Sequence, residues 1–404
     1  MKGKILFLEQ QSWLSGAQRV LQSVLDATAE DYDPIVAFPN DGSFRRKLEE
    51  LKVQTLTYPL GLYQTGNKSR SEMLRFALQS VLCAFKLTRI IRSQDIRLVY
   101  INGPRCLPAG VLAARMTGLP TLFHLHLTLV RKPEILLVAN LARWVSTIVS
   151  CSQAAAAGIV SANRRLVGKT RILYNPVDRH DHVTPDAAKL EWPTVNPSIL
   201  TLGVVGRITK PKGQRVLLNA LGRLGPMLKA RIRVIFIGAP SPDNNEDVTY
   251  NERLGDCVTQ FNLREKVHWA GYQPTVGPFY RAMDVLIHPS LSDSGESMPL
   301  AVLEALQHGV PVIASWTGGI PEIVCHGSNG LLVPPGNEVA LARTLERFLQ
   351  DASLRARLRS GAQSSLDERF SPENFKSRIH GLIWKLCRMR QLPLPEAIRE
   401  EPAA

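Results

Sequence analysis

Several features that mark other protein classes are missing from this sequence. Aromatic side chains make up only 6% of its 404 residues and no nucleic-acid-binding module is recognisable, so a pI near 9.7 does not predict a nucleic-acid partner. Its six cysteines lie far apart and form no C-x-x-C pair, which argues against a disulfide framework or a zinc site and favours reduced, packed thiols. The carboxyl-terminal half supplies no D-x-D metal motif.

Long apolar runs are also missing. A helix that spans a bilayer needs about 20 apolar residues, and the best candidate, Ile135 to Cys151, is interrupted by Asn140 and Arg143. The segment from Lys2 to Gln10 has a short apolar run followed by polar residues, unlike a signal peptide. We therefore expect a cytoplasmic protein, with peripheral contact at the inner face of the membrane left open.

The length of the chain predicts two domains that face each other across a cleft. Strands, helices and glycine turns alternate as in doubly wound α/β sheets, which we expect at residues 1–180 and 199–375. Residues 181–198 contain three prolines and little periodicity, as a linker would. A helix at 376–392 is predicted to pack back on the first domain, and 393–404 are predicted to be a disordered tail.

Two carboxylates lie at a predicted loop-to-helix junction between His288 and Glu304. Ser297 is a good N-cap residue and an apolar run follows it, which places Glu296 just before a helix and Glu304 inside it. A helix start leaves amide N–H groups without partners and carries the positive end of the helix dipole, which suits a diphosphate. The amides expected to face such an anion are those of Leu300 and Ala301.

Flanking motifs extend this pattern. Upstream, a predicted strand ends in a glycine and is followed by a basic cluster, namely Gly206, Arg207, Lys212 and Gly213. Downstream, a strand and a glycine turn follow the helix, with Gly309, Pro311, Val312, Gly318, Gly319 and Glu322. In this order and spacing the motifs resemble the retaining, family 4 type of glycosyltransferase (glycosyl transferases group 1), whose GT-B fold consists of two Rossmann-like domains.

The amino-terminal half resembles that family less closely. A glycine turn enters a helix at Gly16 and Ala17, whose backbone amides would approach the donor phosphates. Ser15 and Gln18 stand where family members usually have a second glycine and an acidic residue. The segment from Gly118 to Thr128 resembles the one in which the family places an active-site histidine, which is His126 here, with His124 as the second choice.

The resemblance implies transfer of a sugar from a nucleotide diphosphate donor to an acceptor hydroxyl with retention of configuration, in polysaccharide or glycolipid synthesis. Arg207 and Lys212 would neutralise the departing diphosphate, so no metal ion or other cofactor is required. Glu304 would bind the ribose, Glu296 the sugar hydroxyls, and His126 the donor sugar from the other domain. The donor is expected to be UDP- or GDP-linked.

The basic residues are concentrated in one half of the chain. Residues 1–180 carry a net charge of +12, and the remainder +2. Because the family receives the acceptor in its amino-terminal domain, this asymmetry suggests an anionic lipid-linked acceptor or an anionic membrane surface. Between Ser69 and Ser93 a basic, apolar segment fits an interfacial amphipathic helix, or an ordinary core-packing helix with a solvated basic face.

Two other functions remain open at this stage. A sugar-nucleotide epimerase on the same fold would share the phosphate-binding Arg207 and Lys212, although the glutamate pair favours a transferase. A non-catalytic, membrane-associated protein of this fold would be consistent with Ser15 and Gln18. A nicotinamide dehydrogenase is poorly supported, because the strand before Arg207 lacks the third glycine and the acidic ribose partner of that fingerprint.

Overall fold

The computed structural model describes residues 2–60, 69–177, 198–241 and 244–388. Except for Ser198, the predicted linker lies outside the described residues, as does the predicted tail. Within the described parts, the chain forms two parallel sheets, each covered by helices on both faces. The predicted fold class, two Rossmann-like α/β domains, is confirmed.

The amino-terminal lobe is built on a seven-stranded parallel sheet of order β3-β2-β1-β4-β5-β6-β7. Its strands are β1 (Gly3–Glu9), β2 (Tyr32–Phe38), β3 (Gln54–Thr57), β4 (Ile96–Asn102), β5 (Thr121–Leu125), β6 (Thr147–Ser150) and β7 (Thr170–Ile172). The helices that cover it are α1 (Gly16–Thr28), α2 (Ser43–Glu50), α3 (Arg70–Ser93), α4 (Leu107–Thr117), α5 (Lys132–Ala142) and α6 (Gln153–Ala162). The central strands β1 and β4 are almost continuously apolar and buried, as parallel strands covered on both faces must be.

The carboxyl-terminal lobe has a six-stranded parallel sheet of order β10-β9-β8-β11-β12-β13. Its strands are β8 (Leu200–Val205), β9 (Ile232–Ile237), β10 (Val267–Gly271), β11 (Val285–His288), β12 (Val312–Ser315) and β13 (Gly330–Val333). Its helices are α7 (Gln214–Gly222), α8 (Pro226–Lys229), α9 (Asn245–Gln260), α10 (Gly277–Arg281), α11 (Leu300–Gln307), α12 (Glu338–Gln350) and α13 (Ala352–Gln363).

The last helix of the described chain returns to the first lobe. This helix, α14 (Pro372–Arg388), begins four residues before the predicted start and contacts α1. Its apolar face, with Phe375, Ile379 and Ile383, is buried in the same core as one face of the first sheet. Hydrophobic burial of this face therefore ties the end of the chain to the amino-terminal lobe.

No helix among the described residues is long and apolar enough to cross a bilayer. Of the six cysteines, all of them unpaired, four are buried, one is partly buried and Cys325 is exposed.

Candidate active site

The predicted site residues follow the strands at which each sheet reverses its order. Open α/β sheets bind ligands beyond the carboxyl ends of the strands at such points. In the first sheet the reversal lies between β1 and β4, which end at Glu9 and Asn102. In the second sheet it lies between β8 and β11, which are followed by Lys212 and Glu296. The strand order therefore places residues that are distant in sequence at one edge of each sheet.

Glu296 is the most heavily bonded carboxylate of the second edge. Its Oε1 atom accepts hydrogen bonds from Ser290 Oγ at 2.9 Å and from Lys212 Nζ, and it lies 3.2 Å from His288 Nε2. The side chain is 8% exposed. Burial raises the pKa of this carboxyl, but Lys212 and His288 lower the pKa more, so that it lies well below its usual range. Glu296 is therefore ionised at neutral pH.

The helix after Glu296 begins later than its sequence predicts. Helix α11 starts at Leu300 with Pro299 as its N-cap residue, so the prediction that Ser297 is the N-cap is wrong. The hydroxyl of Ser297 donates instead to the backbone carbonyl of His126 in the other lobe. The first intrahelical bonds use the amides of Val302 and Leu303, both donating to Pro299 O. The amides of Leu300 and Ala301 precede them and make no intrahelical bond, as at the start of any helix.

Glu304 lies inside α11, where it contacts both lobes. Its Oε2 accepts a hydrogen bond from the Tyr280 hydroxyl at 2.8 Å, and its Oε1 is 3.3 Å from Nη1 of Arg19 on α1. The starts of the two helices also meet, because a Cβ atom on Gly16 would lie 3.5 Å from Leu300 Cδ1. Two helix N-termini and one carboxylate thus share a single interlobe region.

The first turn of α1 leaves its first backbone amides outside the helical hydrogen-bond ladder. The first intrahelical bond of this helix runs from Arg19 N to Ser15 O, so the amides of Gly16 and Ala17 precede it. Ser15 and Gln18, the residues that depart from the family pattern, hydrogen-bond to each other through their side chains. The Gln18 amide oxygen is therefore used within the turn, whereas its amide nitrogen is buried without a partner among the residues described.

The basic cluster after β8 is only partly gathered around Glu296. Lys212 forms the ion pair described above, which the sequence did not predict. Arg207 is exposed, and its carbonyl accepts a bond from Gln214 Nε2 at 2.8 Å. Gly213 has φ of +71°, and a Cβ there would lie 2.0 Å from the carbonyl oxygen of Pro289, so only glycine permits the β8 and β11 loops to approach this closely.

His126 immediately follows β5, as predicted. Its Nε2 atom lies 2.7 Å from Oδ1 of Asn102, whose Nδ2 donates to Glu9 Oε2 at 2.7 Å. Burial lowers the pKa of His126 to about 3, so the ring is neutral at physiological pH. The second-choice residue, His124, is fully buried, with Nδ1 2.5 Å from the Tyr100 hydroxyl, which makes it a core residue.

Backbone hydrogen bonds join the Glu296 loop to the other lobe. The amide of Thr128 donates to Gly295 O at 3.0 Å, its hydroxyl donates to Glu296 O at 2.8 Å, and Asn175 Nδ2 donates to Met298 O at 3.0 Å. Nearby, the carboxylate of Glu322 accepts bonds from the first two amides of α6. The loop that holds Glu296 is therefore fixed by both lobes.

Four residues at this site were given no role from the sequence. His288 and Ser290 lie within the motif around Glu296. The sequence signal that could have identified them is their spacing of two residues at the end of a strand. Arg19 and Tyr280 contact Glu304 from distant segments and carry no motif of their own. Only the fold brings these two to the site.

Comparison with known families agrees with this geometry. The sequence pattern of the family described as glycosyl transferases group 1 matches residues 194–365, and that of glycosyltransferase family 4 matches residues 14–181. The chain belongs to the glycosyl transferases of group 1. The resemblance to group 1 glycosyltransferases is thereby confirmed, as is the GT-B fold, while retention of configuration stays a prediction.

Curated relatives cover different parts of the chain. The D-inositol 3-phosphate glycosyltransferase of Streptomyces bingchenggensis is 29% identical over 63% of this chain and 59% of its own length. A lipopolysaccharide core biosynthesis glycosyltransferase of Rhizobium meliloti is 29% identical over 50% of this chain and 54% of its own. The 2-deoxystreptamine glucosyltransferase of Streptomyces kanamyceticus is 26% identical over 82% and 88%. The chain thus spans little more than half of the first two relatives.

Solved structures share the fold over nearly the whole chain. Anabaena HepE in complex with UDP-glucose has a TM-score of 0.75 at 23% identity, covering 95% of this chain and 100% of the other. Sucrose-phosphate synthase from Thermosynechococcus elongatus has a TM-score of 0.74 at 19% identity, covering 95% and 99%. At these identities the likeness establishes the fold alone.

The buried carboxyl of Glu9 generates a prediction for the pH dependence of stability. Burial raises its pKa from 4.5 to about 7, so the folded protein binds this proton more tightly than the unfolded chain does. The free energy of unfolding should therefore fall as pH rises from about 4.5 to about 7, by about 3 kcal/mol. In Glu9→Gln this contribution is absent, so the variant should gain stability relative to wild type as pH rises. Urea denaturation of wild type and variant at pH 5 and pH 8 tests this. The prediction is contradicted if the two proteins differ in free energy of unfolding by the same amount at both pH values.

Proposed function

We propose that the protein transfers a sugar from a nucleotide diphosphate donor to an acceptor hydroxyl with retention of configuration. The observation that carries this proposal is the meeting of Lys212, Glu296 and Glu304 with the N-termini of α1 and α11 between the lobes. Backbone amides and cations there suit a diphosphate, while the two carboxylates suit hydroxyl groups. The relatives named above are glycosyltransferases, and HepE was solved with UDP-glucose.

The diphosphate would lie between the two helix starts. The amides of Leu300 and Ala301 would donate to it from one lobe and those of Gly16 and Ala17 from the other. Lys212 and the exposed Arg207 would add positive charge as the leaving phosphate becomes more negative, which is why the mechanism needs no metal ion. The nucleotide would be UDP or GDP.

The ribose would bind at Glu304. Its pairing with Arg19 is partly exposed, and surface ion pairs of this kind contribute no more than about 1 kcal/mol. A ribose hydroxyl can therefore displace the guanidinium from the carboxylate at small cost. Arg19 would then be available to the adjacent phosphate.

Glu296 would orient the donor sugar. Because the hydrogen bonds to its carboxylate converge on Oε1, Oε2 is the atom suited to a sugar hydroxyl. In the proposed front-face reaction the bond from the anomeric carbon to the phosphate oxygen breaks, the acceptor oxygen bonds to that carbon from the same side, and its proton passes to the departing phosphate. Glu296 then acts electrostatically and is not the nucleophile, while His126 contacts the sugar from the other lobe.

The acceptor side belongs to the basic amino-terminal lobe. We propose that the acceptor is a carbohydrate or a lipid-linked molecule, and that transfer serves polysaccharide or glycolipid synthesis at an anionic membrane surface. Helix α3 supports this part of the proposal. One face, with Cys83, Ala84, Leu87 and Ile91, packs into the core, whereas Leu74, Leu78, Leu82 and Phe85 project outward and are each more than half exposed.

The outward face of α3 favours the first of the two interpretations of its sequence, an interfacial amphipathic helix. A solvated helix face is normally polar, yet here it combines large apolar side chains with the exposed basic residues Arg75, Lys86, Arg89 and Arg92. Its acidic residue, Glu72, is used at the N-terminus, where it accepts from the Ser69 amide. Apolar insertion combined with basic residues near anionic headgroups is the arrangement of interfacial helices.

Donor binding can be tested by thermal stabilisation. A ligand that binds only the folded protein adds about 2.7 kcal/mol at 100 times its Kd, so one UDP- or GDP-linked sugar should raise the melting temperature clearly. The screen should include both free nucleoside diphosphates and several sugars on each. If no member of either series raises the melting temperature, the proposed function is contradicted. Incubating the selected donor alone and looking for an epimer by NMR separates the transferase from the epimerase.

Lys212→Ala should slow transfer strongly. Loss of one charged donor to a developing anion costs about 3 kcal/mol in the transition state, or roughly 100-fold in kcat. Lys210→Ala, two residues away on the same turn and exposed, is the matched control and should retain activity. Melting curves of both variants show whether the loss is one of folding. Wild-type turnover by folded Lys212→Ala would refute the assigned role.

The membrane surface predicts lipid-dependent sedimentation. The full chain should bind phosphatidylcholine vesicles that contain phosphatidylglycerol, bind weakly to phosphatidylcholine alone, and be released by salt. The triple variant L74S/L78S/L82S should lose this binding. A double variant at exposed apolar positions elsewhere, V167S/M227S, serves as the control and should bind as wild type does. Equal binding of the two variants would refute α3 as the docking surface.

A further inference from the structure

A buried polar chain connects the ends of three adjacent strands in the amino-terminal lobe. Glu9 ends β1, Asn102 ends β4 and His126 follows β5. The Glu9 side chain is fully buried, although a buried carboxyl is costly and its raised pKa shows that cost. A residue that destabilises the folded state in this way calls for an explanation outside packing.

The chain has a defined hydrogen-bond direction when Glu9 is ionised. A carboxylate can only accept, so the atom of Asn102 that lies 2.7 Å from Glu9 Oε2 must be its amide nitrogen. The amide oxygen of Asn102 then faces His126 Nε2 at 2.7 Å and can only accept. The Nε2 atom of His126 must therefore carry the ring proton.

The other nitrogen of His126 is then an acceptor. Because the ring is neutral, Nδ1 has a lone pair and no proton. Nδ1 is buried and has no hydrogen-bond partner among the residues that the structure describes. Leaving such an atom without a partner costs about 1–3 kcal/mol. The site would recover this cost if a ligand hydroxyl donated to Nδ1.

The position of His126 in the fold supports such a ligand. The carbonyl of His126 accepts from Ser297 Oγ, and Thr128, two residues on, bonds to the backbone of Gly295 and Glu296. The backbone of His126 and Thr128 therefore adjoins the loop that carries the proposed sugar-binding carboxylate. The His126 ring packs against the His124 ring, with centroids 3.8 Å apart and planes tilted by 37°, which restricts its rotation.

We propose that Glu9 and Asn102 are positioning residues that hold His126 as the Nε2–H tautomer, so that Nδ1 accepts a hydrogen bond from a hydroxyl of the donor sugar. The sugar part of this proposal rests on the proposed function. The tautomer part concerns the free protein and stands separately.

The variant Glu9→Gln gives a directional test. In wild type Glu9 Oε1 accepts from the backbone amide of Gln10 at 2.8 Å, and this N–H cannot be reversed. A glutamine at position 9 must therefore direct its oxygen there and its NH₂ toward Asn102. To avoid two facing donors the Asn102 amide must rotate, which presents its own NH₂ to His126 Nε2 and moves the ring proton to Nδ1.

The measurement is a proton–nitrogen correlation spectrum of protein labelled with ¹⁵N-histidine at pH 8, above the pKa of Glu9. Signals of His126 are assigned by their loss in His126→Gln. We expect the Nε2–H pattern in wild type and the Nδ1–H pattern in Glu9→Gln. Tyr100→Phe removes the hydroxyl next to His124 without changing ring size, and it should leave the His126 pattern as in wild type.

Calorimetry tests the sugar part with the donor selected by the thermal screen. Glu9→Gln should bind the nucleotide sugar about 10-fold more weakly, because Nδ1 becomes a donor and the sugar hydroxyl must turn its proton away from the ring. It should bind the free nucleoside diphosphate as wild type does. Melting curves should show a folded variant.

Either an Nδ1–H wild type or an unchanged tautomer in Glu9→Gln would overturn the positioning role. A switched tautomer with unchanged affinity for the nucleotide sugar would overturn the proposal that Nδ1 accepts from a sugar hydroxyl. If no nucleotide sugar binds even to wild type, the proposed function fails, while the predicted tautomers would still confirm the positioning of His126.

Discussion

The buried negative charge of Glu296 is the constraint on which the candidate site depends. A carboxylate removed from water is stable only with cations and hydrogen-bond donors around it. Lys212 supplies the cation from the turn after β8, and His288 and Ser290 supply further contacts from the end of β11. These three residues reach one oxygen because β8 and β11 are neighbours in the sheet. The order of the strands, the ionised state of the carboxylate and the position of the basic turn therefore depend on one another.

The same loop also connects the lobes. Thr128 and Asn175 bond to its backbone at Gly295, Glu296 and Met298, so contact between the lobes and placement of the carboxylate involve the same few residues. Two glycines allow a neighbouring segment to pack closely against this loop, because a Cβ on Gly318 or Gly319 would lie 1.7 Å from a carbonyl oxygen of the loop. Substitution there would displace Glu296 without touching its side chain. Function at such a site depends on backbone fit as much as on charged groups.

The two lobes use their sheet edges differently. The second lobe presents an ionised carboxylate and cations, which suit a phosphate and its sugar. The first lobe buries a neutral histidine at the end of a polar chain and covers its sheet with a helix, α3, that is apolar on two faces. These properties suit recognition of a hydroxyl group and of a lipid surface. The asymmetry of charge along the chain, +12 against +2, follows the same division.

Much of the fold and of the candidate site could be predicted from the sequence, because the patterns that indicate them are local. Strand and helix periodicity gave β1, β8 and the two-lobe α/β fold, and the apolar run after Ser297 located the helix start within a few residues. The N-cap was placed wrongly because the Ser297 hydroxyl bonds to the other lobe, a partner that no local pattern contains. Arg19, Tyr280 and the chain from Glu9 to His126 were likewise invisible, since their partners are separated by 24 to 285 residues. The sequence by itself determined the fold class and which residues are candidates for the site. Only the tertiary structure decided their pairings, because a hydrogen bond requires atoms within about 3 Å, and that proximity is set by strand order and lobe contact.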